Sequence, residues 1–206
     1  MEIFDTIFIV VVLIFSVVVH EVAHGVAADK LGDPTARLAG RLTLNPIPHI
    51  DILGSIIVPV LASFTGYYFG WAKPVPVNPY NFKHLREWGE AITAFAGPLS
   101  NLAIATVCGL TMRLGVVPDL AQALFYIVAI NCSLFILNMI PFPPLDGSKV
   151  LSAFLPGSVG EAYLRFRAIL ETNFIVSLVL LLVLINVFGD AYITLVFGLA
   201  QVLAGA

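Results

Sequence analysis

Charged residues are scarce in this chain of 206 residues. Asp, Glu, Lys and Arg make up 11% of the sequence and hydrophobic residues make up 59%, whereas about 25% of a typical soluble domain is charged. Together with a mean hydropathy of +0.98, this scarcity excludes an ordinary soluble domain and predicts an integral membrane protein in a lipid bilayer. Because the chain shows no internal repeat or low-complexity tract, we expect residues 1–206 to form a single domain.

Cysteines and clustered basic residues are also few. The two cysteines, Cys108 and Cys132, lie in separate apolar segments without metal-type spacing, which favours buried free thiols over a disulfide. A net charge of −3 without a basic cluster gives no indication of nucleic-acid binding. The first apolar run has no basic segment before it and no small-residue cleavage site after it. We therefore expect this run to be retained as a membrane helix.

Long apolar runs predict an all-α polytopic membrane protein with about five transmembrane helices. The predicted spans are residues 3–29, 91–113, 120–140, 173–188 and 191–203, and the last two are joined at Gly189-Asp190. The apolar segment 52–64 is short and contains Gly54 and Pro59. It is therefore expected to be re-entrant, entering the membrane without crossing it.

Two other stretches predict small membrane-associated β-strands. Residues 35–45 alternate between apolar and polar side chains and end at Asn45-Pro46, which is the period of a strand. In residues 70–79, Pro74 and Pro76 remove amide donors from one edge, while Val75 and Val77 keep donors on the other. The alternative for this second stretch is a rigid proline-rich loop.

The first apolar run contains the sequence His20-Glu21-Val22-Ala23-His24. On a helix, His20 and His24 project from one face, where two imidazoles can bind one Zn²⁺ with Glu21 beside the open coordination position. These residues could instead be ordinary helix residues. Ionisable groups inside a membrane helix cost a few kcal/mol each, however, so three of them within five residues indicate a shared function.

A zinc hydrolase needs a third protein ligand, and Asp146 is the candidate. It follows Pro141, Pro143 and Pro144, which break the preceding helix and leave irregular backbone at membrane depth. Such backbone is tolerated only where it is buried in protein or lines a wet cavity. The alternative is a Pro-Asp-Gly turn at the membrane interface.

The two motifs together resemble those of the site-2 protease family of intramembrane zinc metalloproteases. That family is marked by H-E-x-x-H on one transmembrane helix and N-x-x-P-x-x-x-L-D-G at the end of another, and this chain has the second as Asn138 through Pro141 to Leu145-Asp146-Gly147. The stretches 97–101 and 69–79 are also similar to the family, so the resemblance covers about residues 16–150. The chain has no stretch long enough for a PDZ or nucleotide-binding regulatory domain and is expected to be a minimal member.

The resemblance implies a set of site residues. His20, His24 and Asp146 would bind one Zn²⁺ per chain, and Glu21 would be the general base. Asn138 is the candidate for holding the substrate backbone or the oxyanion. Further substrate-binding candidates are Asn101, Trp71, Val75 and Val77, with Asn131 on roughly the same helical face as Asn138. For Asn101 and Asn131, a purely structural role between helices is the alternative.

The implied function is hydrolysis of peptide bonds in or near the transmembrane segments of membrane-anchored proteins. One alternative is a membrane metalloprotease with a glutamate as third ligand, but Glu87, Glu90, Glu161 and Glu171 lie at predicted interfaces without a ligand motif. Another alternative is a metal transporter or an inactive metal-binding scaffold. The presence of Glu21 argues against a transporter and against an inactive scaffold, because a site that only binds metal needs no base beside it.

Basic residues predict how the chain threads the membrane. With the N-terminus outside and residues 52–64 re-entrant, nine of the ten basic residues lie on the cytoplasmic side and only Arg113 lies outside, as the positive-inside rule favours. The histidine pair lies roughly 9–15 Å along the first helix from Lys30, at 1.5 Å per residue. The active site is therefore expected nearer the cytoplasmic side of a multi-pass protein in a prokaryotic cell membrane.

Overall fold

The computed structural model describes residues 3–57 and 72–205, and every regular element within these ranges is helical. The α-helices are α1 (Ile3–Leu31), α2 (Thr35–Leu38), α3 (Arg86–Arg113), α4 (Ala121–Met139), α5 (Asp146–Ser152), α6 (Gly157–Thr172) and α7 (Phe174–Ala204). Short 3-10 or π turns lie at Ile47–His49, Ile52–Ile57, Pro79–Asn81 and Pro118–Leu120. Of the described helices, four are long and apolar enough to cross a membrane, namely α1, α3, α7 and the unit formed by α4 and the turn before it.

Helix α3 lies at the centre of the bundle and packs against α1, α4, α5 and α7. Its buried face is rich in small residues, among them Ala94, Gly97, Ala105 and Gly109. Small residues let membrane helices approach closely, and a side chain at Gly109 would meet the Leu203 carbonyl of α7 at 2.7 Å. Both cysteines are free, as the sequence predicted. Cys132 is buried in the core between α3, α4 and α7, whereas Cys108 is half-buried.

The break predicted at Gly189-Asp190 is wrong, because α7 is one continuous helix of 31 residues. A glycine inside a helix costs about 1 kcal/mol, whereas each unsatisfied backbone group in lipid costs several. The Arg113 guanidinium, at the end of α3, donates to the Val202 carbonyl at the end of α7. The C-termini of these two helices therefore lie on the same side, and residues 3–57 and 72–205 contain four long apolar helices.

The strand predicted at residues 35–45 is also wrong. The Asp33 carboxylate accepts hydrogen bonds from the amide and the hydroxyl of Thr35, an Asx-type turn that starts the short helix α2. The Arg41 amide then donates to the Ala36 carbonyl at 2.9 Å. Local hydrogen bonds thus take up the backbone groups that a strand ladder would have used.

Residues 72–78 are not in helix or strand in the described structure, so the second predicted strand is replaced by an unpaired segment. Its amides bond to separate partners: Lys73 to the His49 carbonyl at 2.9 Å, Val75 to Glu21 and Asn78 to Asp33. Within the predicted re-entrant segment, Ile52–Ile57 forms a π-helical turn. Its remaining residues, 58–64, lie outside the described residues.

Candidate metal centre and catalytic base

Three side chains converge between α1 and the start of α5. The Nε2 atoms of His20 and His24 are 3.0 Å apart, and each lies 3.2 Å from Asp146 Oδ2. All three residues are buried, and they are the one described group of three or more potential metal ligands. The i, i+4 spacing places both histidines on one face of α1, and the turn after α4 brings Asp146 to them across 126 positions of sequence.

The outer nitrogens of the two histidines fix which ring atoms carry protons. His24 Nδ1 lies 2.7 Å from the Thr93 carbonyl, which can only accept, so Nδ1–H is the donor. His20 Nδ1 donates in the same way to Asn101 Oδ1 at 2.6 Å. In the neutral rings, Nε2 therefore presents a lone pair to the centre of the site.

This donor set fits a zinc ion. Two imidazole lone pairs and a carboxylate oxygen face one another without a proton between them, which is unfavourable unless a cation lies among them. Ligands of a tetrahedral zinc, at bond lengths of about 2.0–2.1 Å, stand about 3.3 Å from each other, close to the separations of 3.0 and 3.2 Å here. Metal-binding histidines usually donate their other ring N–H to a carbonyl or carboxylate, as both do here.

Asn101 belongs to a buried polar network behind His20. Its Nδ2 donates to Asn131 Oδ1 at 2.9 Å and to the Ser16 carbonyl at 3.3 Å, and Asn131 in turn donates to Ser16 Oγ at 3.0 Å. Both asparagines are 0% exposed. This placement favours orientation of His20 over contact with substrate, and it joins α1, α3 and α4 directly behind the metal ligands.

Two glycines allow backbone to approach the site. A side chain at Gly97 of α3 would meet His24 Nε2 at 2.4 Å and His20 Nε2 at 2.6 Å. A side chain at Gly147, next to Asp146, would meet the Met139 carbonyl at 2.4 Å. Both motifs that contain these glycines, Gly97-Pro98 and Asp146-Gly147, therefore bring a neighbouring helix within contact distance of the ligands. Pro98 has no amide to donate to the Ala94 carbonyl, so one helical hydrogen bond of α3 is missing next to Thr93, whose carbonyl accepts from His24.

A cavity of about 530 Å³ lies beside the three ligands. Glu21 lines it and is half-buried, and Glu21 Oε2 accepts a hydrogen bond from the Val75 amide at 2.7 Å. The Val75 donor that the sequence reasoning assigned to substrate is thus bonded to the candidate base. The rest of the wall is largely apolar and includes Leu134, Leu137, Leu145, Leu178 and Leu181.

The remaining predicted substrate-binding residues are placed as follows. Asn138 lines the cavity, and its Nδ2 donates to the Leu134 carbonyl at 3.0 Å. Val77 lines the same cavity and packs against the apolar cluster formed by Ala28, Leu31 and Phe82. Trp71 lies outside the described residues.

Lys149 was missed by the sequence reasoning, although it lines the cavity. Its ammonium lies 3.9 Å from Asp146 Oδ1, the carboxylate oxygen turned away from the histidines. It stands three positions after Asp146, on the same helical face. The sequence already shows this spacing, which could have indicated that Lys149 lies beside Asp146.

Glu90 is another cavity residue whose partner could not be foreseen. Its carboxylate pairs with the buried Arg167 of α6 at 2.6 Å, and Arg167 also contacts Glu171 at 3.3 Å and Ser152 Oγ at 2.7 Å. Burial disfavours the charge of Arg167, but the hydrogen bond and charge of Glu90, with those of Glu171, raise its pKa above the ordinary value. This network ties α6 to α3 and α5.

A helical membrane bundle with H-E-x-x-H on one helix and a third carboxylate ligand defines a membrane-embedded metallohydrolase. A family model described as Peptidase family M50 matches residues 116–184. The protein YwhC of Bacillus subtilis (strain 168), which carries the name "Putative zinc metalloprotease", is 38% identical over 162 residues, or 74% of this chain and 71% of the relative. The chain belongs to peptidase family M50, the site-2 protease family.

Two more distant relatives carry the same name under the designation Rip2. The Mycolicibacterium smegmatis protein is 28% identical over 175 residues, or 82% of this chain and 64% of the relative. The protein from Mycobacterium tuberculosis H37Rv is 27% identical over 143 residues, or 68% of this chain and 54% of the relative. No solved structure matches the chain significantly.

Proposed function

We propose that this protein is an intramembrane zinc metalloprotease that hydrolyses peptide bonds in or near the transmembrane segments of membrane-anchored proteins. The observation that carries the proposal is the convergence of His20, His24 and Asp146, with Glu21 beside them in one cavity. The membership of family M50 supports the same activity.

In this proposal, His20, His24 and Asp146 hold one zinc ion per chain. The ion would polarise the scissile carbonyl and lower the pKa of a bound water towards about 7. Glu21 accepts a proton from the attacking water and later returns it to the leaving amine. The Nδ1–H bonds to Thr93 and Asn101 hold the two imidazole rings in place during these transfers.

Asn138 is the candidate donor to the substrate backbone or the oxyanion. A carboxamide carries two N–H groups, and the Leu134 carbonyl of its own helix takes one of them. The other can be turned towards substrate in the cavity. Donors of this kind act where negative charge develops on the carbonyl oxygen.

The substrate must give up helical hydrogen bonds before its backbone can be attacked. In lipid each lost bond is costly, so a site that replaces such bonds favours local unwinding. The irregular segment 72–78 contributes Ala72, Pro74, Val75 and Val77 to the cavity wall. Val77 is the candidate within it for pairing with the extended substrate. The leucine-rich remainder of the wall suits apolar side chains next to the scissile bond.

The alternatives lack comparable support. Among the described glutamates, Glu90 alone lines the cavity besides Glu21, and Arg167 pairs with its carboxylate. A transporter or inactive scaffold would gain nothing from a base at the position of Glu21. The relatives described above carry metalloprotease names.

The test uses purified protein in detergent with a panel of single-span substrates. Wild type is expected to contain one zinc per chain and to cleave a substrate within or next to its apolar segment, as located by mass spectrometry of the products. The Glu21→Gln variant should keep the zinc and lose cleavage. Zinc binding without hydrolysis of any substrate by wild type would favour the transporter or scaffold instead.

A further inference from the structure

We propose that the backbone amide of Val75 is a positioning donor for the general base Glu21. In this role it holds one carboxylate oxygen of Glu21, so that the other stays directed at the reacting water. The inference rests on the proposed function, because it takes Glu21 to be the base. It replaces the sequence-based idea that this amide binds substrate.

The contact itself is short and sheltered. Val75 N–H donates to Glu21 Oε2 at 2.7 Å, and Val75 is only 7% exposed. Hydrogen bonds from N–H groups to carboxylates are shorter and roughly twice as strong as neutral ones. Both residues line the cavity that contains the metal ligands, so the bond lies within the site.

Gly25 makes this contact possible. It follows Glu21 by one helical turn, and a side chain there would meet Val75 Cγ1 at 3.0 Å and Leu42 Cδ2 at 2.5 Å. Without a side chain at this position, the segment 72–78 can lie directly on α1. The amide of Val75 then reaches the carboxylate one turn away.

The segment is fixed on both sides of Val75. On one side, Arg41 donates to the Lys73 carbonyl at 2.7 Å, and the Lys73 amide donates to the His49 carbonyl at 2.9 Å. On the other side, the Asn78 amide donates to Asp33 at 2.7 Å. A donor held by such anchors restrains the acceptor, whereas a freely moving donor would follow it.

Because prolines stand on both sides of Val75, its backbone amide is the one N–H donor in residues 74–76. Pro74 and Pro76 have no amide hydrogen, and their rings restrict the backbone on both sides of Val75. The Glu21 carboxylate therefore has a single backbone N–H within the run 74–76. This explains the spacing of the two prolines better than a blunted strand edge, since the described segment pairs with no strand.

The proton transfers leave the Val75 bond intact. The proton from the water goes to Oε1 of Glu21 and from Oε1 to the nitrogen of the leaving amine, while Oε2 keeps its bond to Val75. An amide has one hydrogen, so Val75 cannot donate fully to Glu21 and to an extended substrate together. The two roles predict different kinetics.

The first test deletes the N–H alone. Replacing the residue at position 75 with the corresponding α-hydroxy acid converts the amide into an ester and keeps the valine side chain. We expect kcat to fall about 10- to 100-fold, as is typical for a hydrogen bond to a charged group. The loss should be equal for a helical transmembrane substrate and a short unfolded peptide, with KM and zinc content unchanged.

Simpler substitutions provide matched controls. Val75→Pro removes the same donor and should lower kcat like the ester, whereas Val75→Ala keeps the donor and should lower kcat far less than the ester does. A raised KM confined to the transmembrane substrate, or an unchanged kcat in the ester variant, would overturn the inference. Failure of wild type to cleave any substrate would instead overturn the proposed function.

A second test needs neither zinc nor activity. In a peptide 72–79, the first two residues lose their label by rapid back-exchange, and the remaining backbone amides are those of Val75, Val77 and Asn78. Hydrogen exchange of this peptide is therefore nearly resolved by residue. In zinc-free protein, Glu21→Ala should release the protection of one amide, and Val75→Pro should remove that same amide from the count. Equal protection in wild type and Glu21→Ala would contradict the contact.

Discussion

Gly97 determines how closely α3 can approach the two histidines. A methyl group at this position would lie 2.4 Å from His24 Nε2, closer than any ordinary contact. Gly97→Ala is therefore expected to push α3 away from the site and to lower zinc affinity at least tenfold, which a competition titration with a chelating dye would measure.

Gly198 of α7 supplies the matched control for this change. A side chain there meets nothing within 4 Å, and alanine is favoured over glycine in a helix by about 1 kcal/mol. Gly198→Ala should thus leave zinc affinity unchanged and not lower stability. Equal zinc affinity of Gly97→Ala and wild type would contradict the close packing at the metal centre.

At the residue scale, sequence reasoning works best where chemistry is local. His20 and His24 could be selected because four residues make one helical turn, and Asp146 because a carboxylate followed proline-broken backbone. The contact between Asn101 and His20 could not be predicted, because the sequence around Asn101 does not show which face of α3 packs against α1. The amide of Val75 was singled out by its flanking prolines, but its partner Glu21 lies 54 positions away.

Among the elements, helix α6 is attached to the bundle through Arg167. Arg167→Met keeps an apolar stem but loses the contacts with Glu90, Glu171 and Ser152. The two glutamates are partly exposed and can be rehydrated, so the expected loss of stability is about 1–3 kcal/mol. Denaturant unfolding in detergent micelles measures it.

The control for this change lies on the same helix. Arg165 pairs with Glu161 at the same i, i+4 spacing, and both side chains are exposed, by 78% and 70%. Arg165→Met is expected to change stability by less than about 0.5 kcal/mol. Equal stability of the two variants would mean that the ion pair between Arg167 and Glu90 does not contribute to the stability of the fold.

The Asn78 end of the segment 72–78, which is bonded to Asp33, should loosen in acid. Burial disfavours the charge of Asp33, but hydrogen bonds from Asn81, Thr35 and Asn78 lower its pKa below the ordinary value of 3.8. Because the pKa is lower in the folded state, Asp33 stabilises the fold above the unfolded pKa, and this contribution is lost as the pH falls towards the folded pKa. Protection of the Asn78 amide should therefore persist down to the ordinary pKa of 3.8 and decrease as the pH falls below it.

Asp33→Asn removes the titrating group and serves as the comparison. Hydrogen exchange in this variant should show little change in relative protection of the Asn78 amide over the same range, after correction for the intrinsic exchange rate. A wild-type profile as flat as that of Asp33→Asn would mean that the carboxylate does not anchor the segment.

The long helices were predictable and the strands were not. A long apolar run has few alternatives to a helix in lipid, since every backbone group must be satisfied internally. Residues 35–45 alternate in polarity as a strand would. The hydrogen bonds between Asp33 and Thr35 nevertheless start a short helix there, and the polarity pattern does not reveal them. The partners of residues 73, 75 and 78 come from three separate places in the chain, and no local period encodes them.

For the whole molecule, the directions of the four long helices predict which sites share a side of the membrane. Cysteines introduced at the exposed Arg37 and Arg165 should react with impermeant thiol reagents from one side, and cysteines at Arg113 and Gly205 from the other. The contact between Arg113 and Val202 requires this pairing. By the positive-inside rule, we expect the side of Arg37 to be the cytoplasm.

This labelling also decides between four and five membrane crossings. With five, the C-terminus would return to the side of Arg37, so a cysteine at position 205 would react together with one at Arg37. The native Cys132 is buried and Cys108 half-buried, and replacing both by alanine removes any background. Joint labelling of positions 37 and 205 would contradict the continuous α7.

The separation of the metal ligands along the chain has a consequence for biogenesis. His20 enters the membrane with the first helix, but Asp146 lies 126 positions later, beyond the third long helix. Chains are synthesised from the N-terminus at about 5–20 residues per second, so about 6–25 seconds separate the synthesis of His20 from that of Asp146, the proposed third ligand. We therefore expect metal binding to follow completion of the bundle, so that an incompletely inserted chain is not yet an active protease.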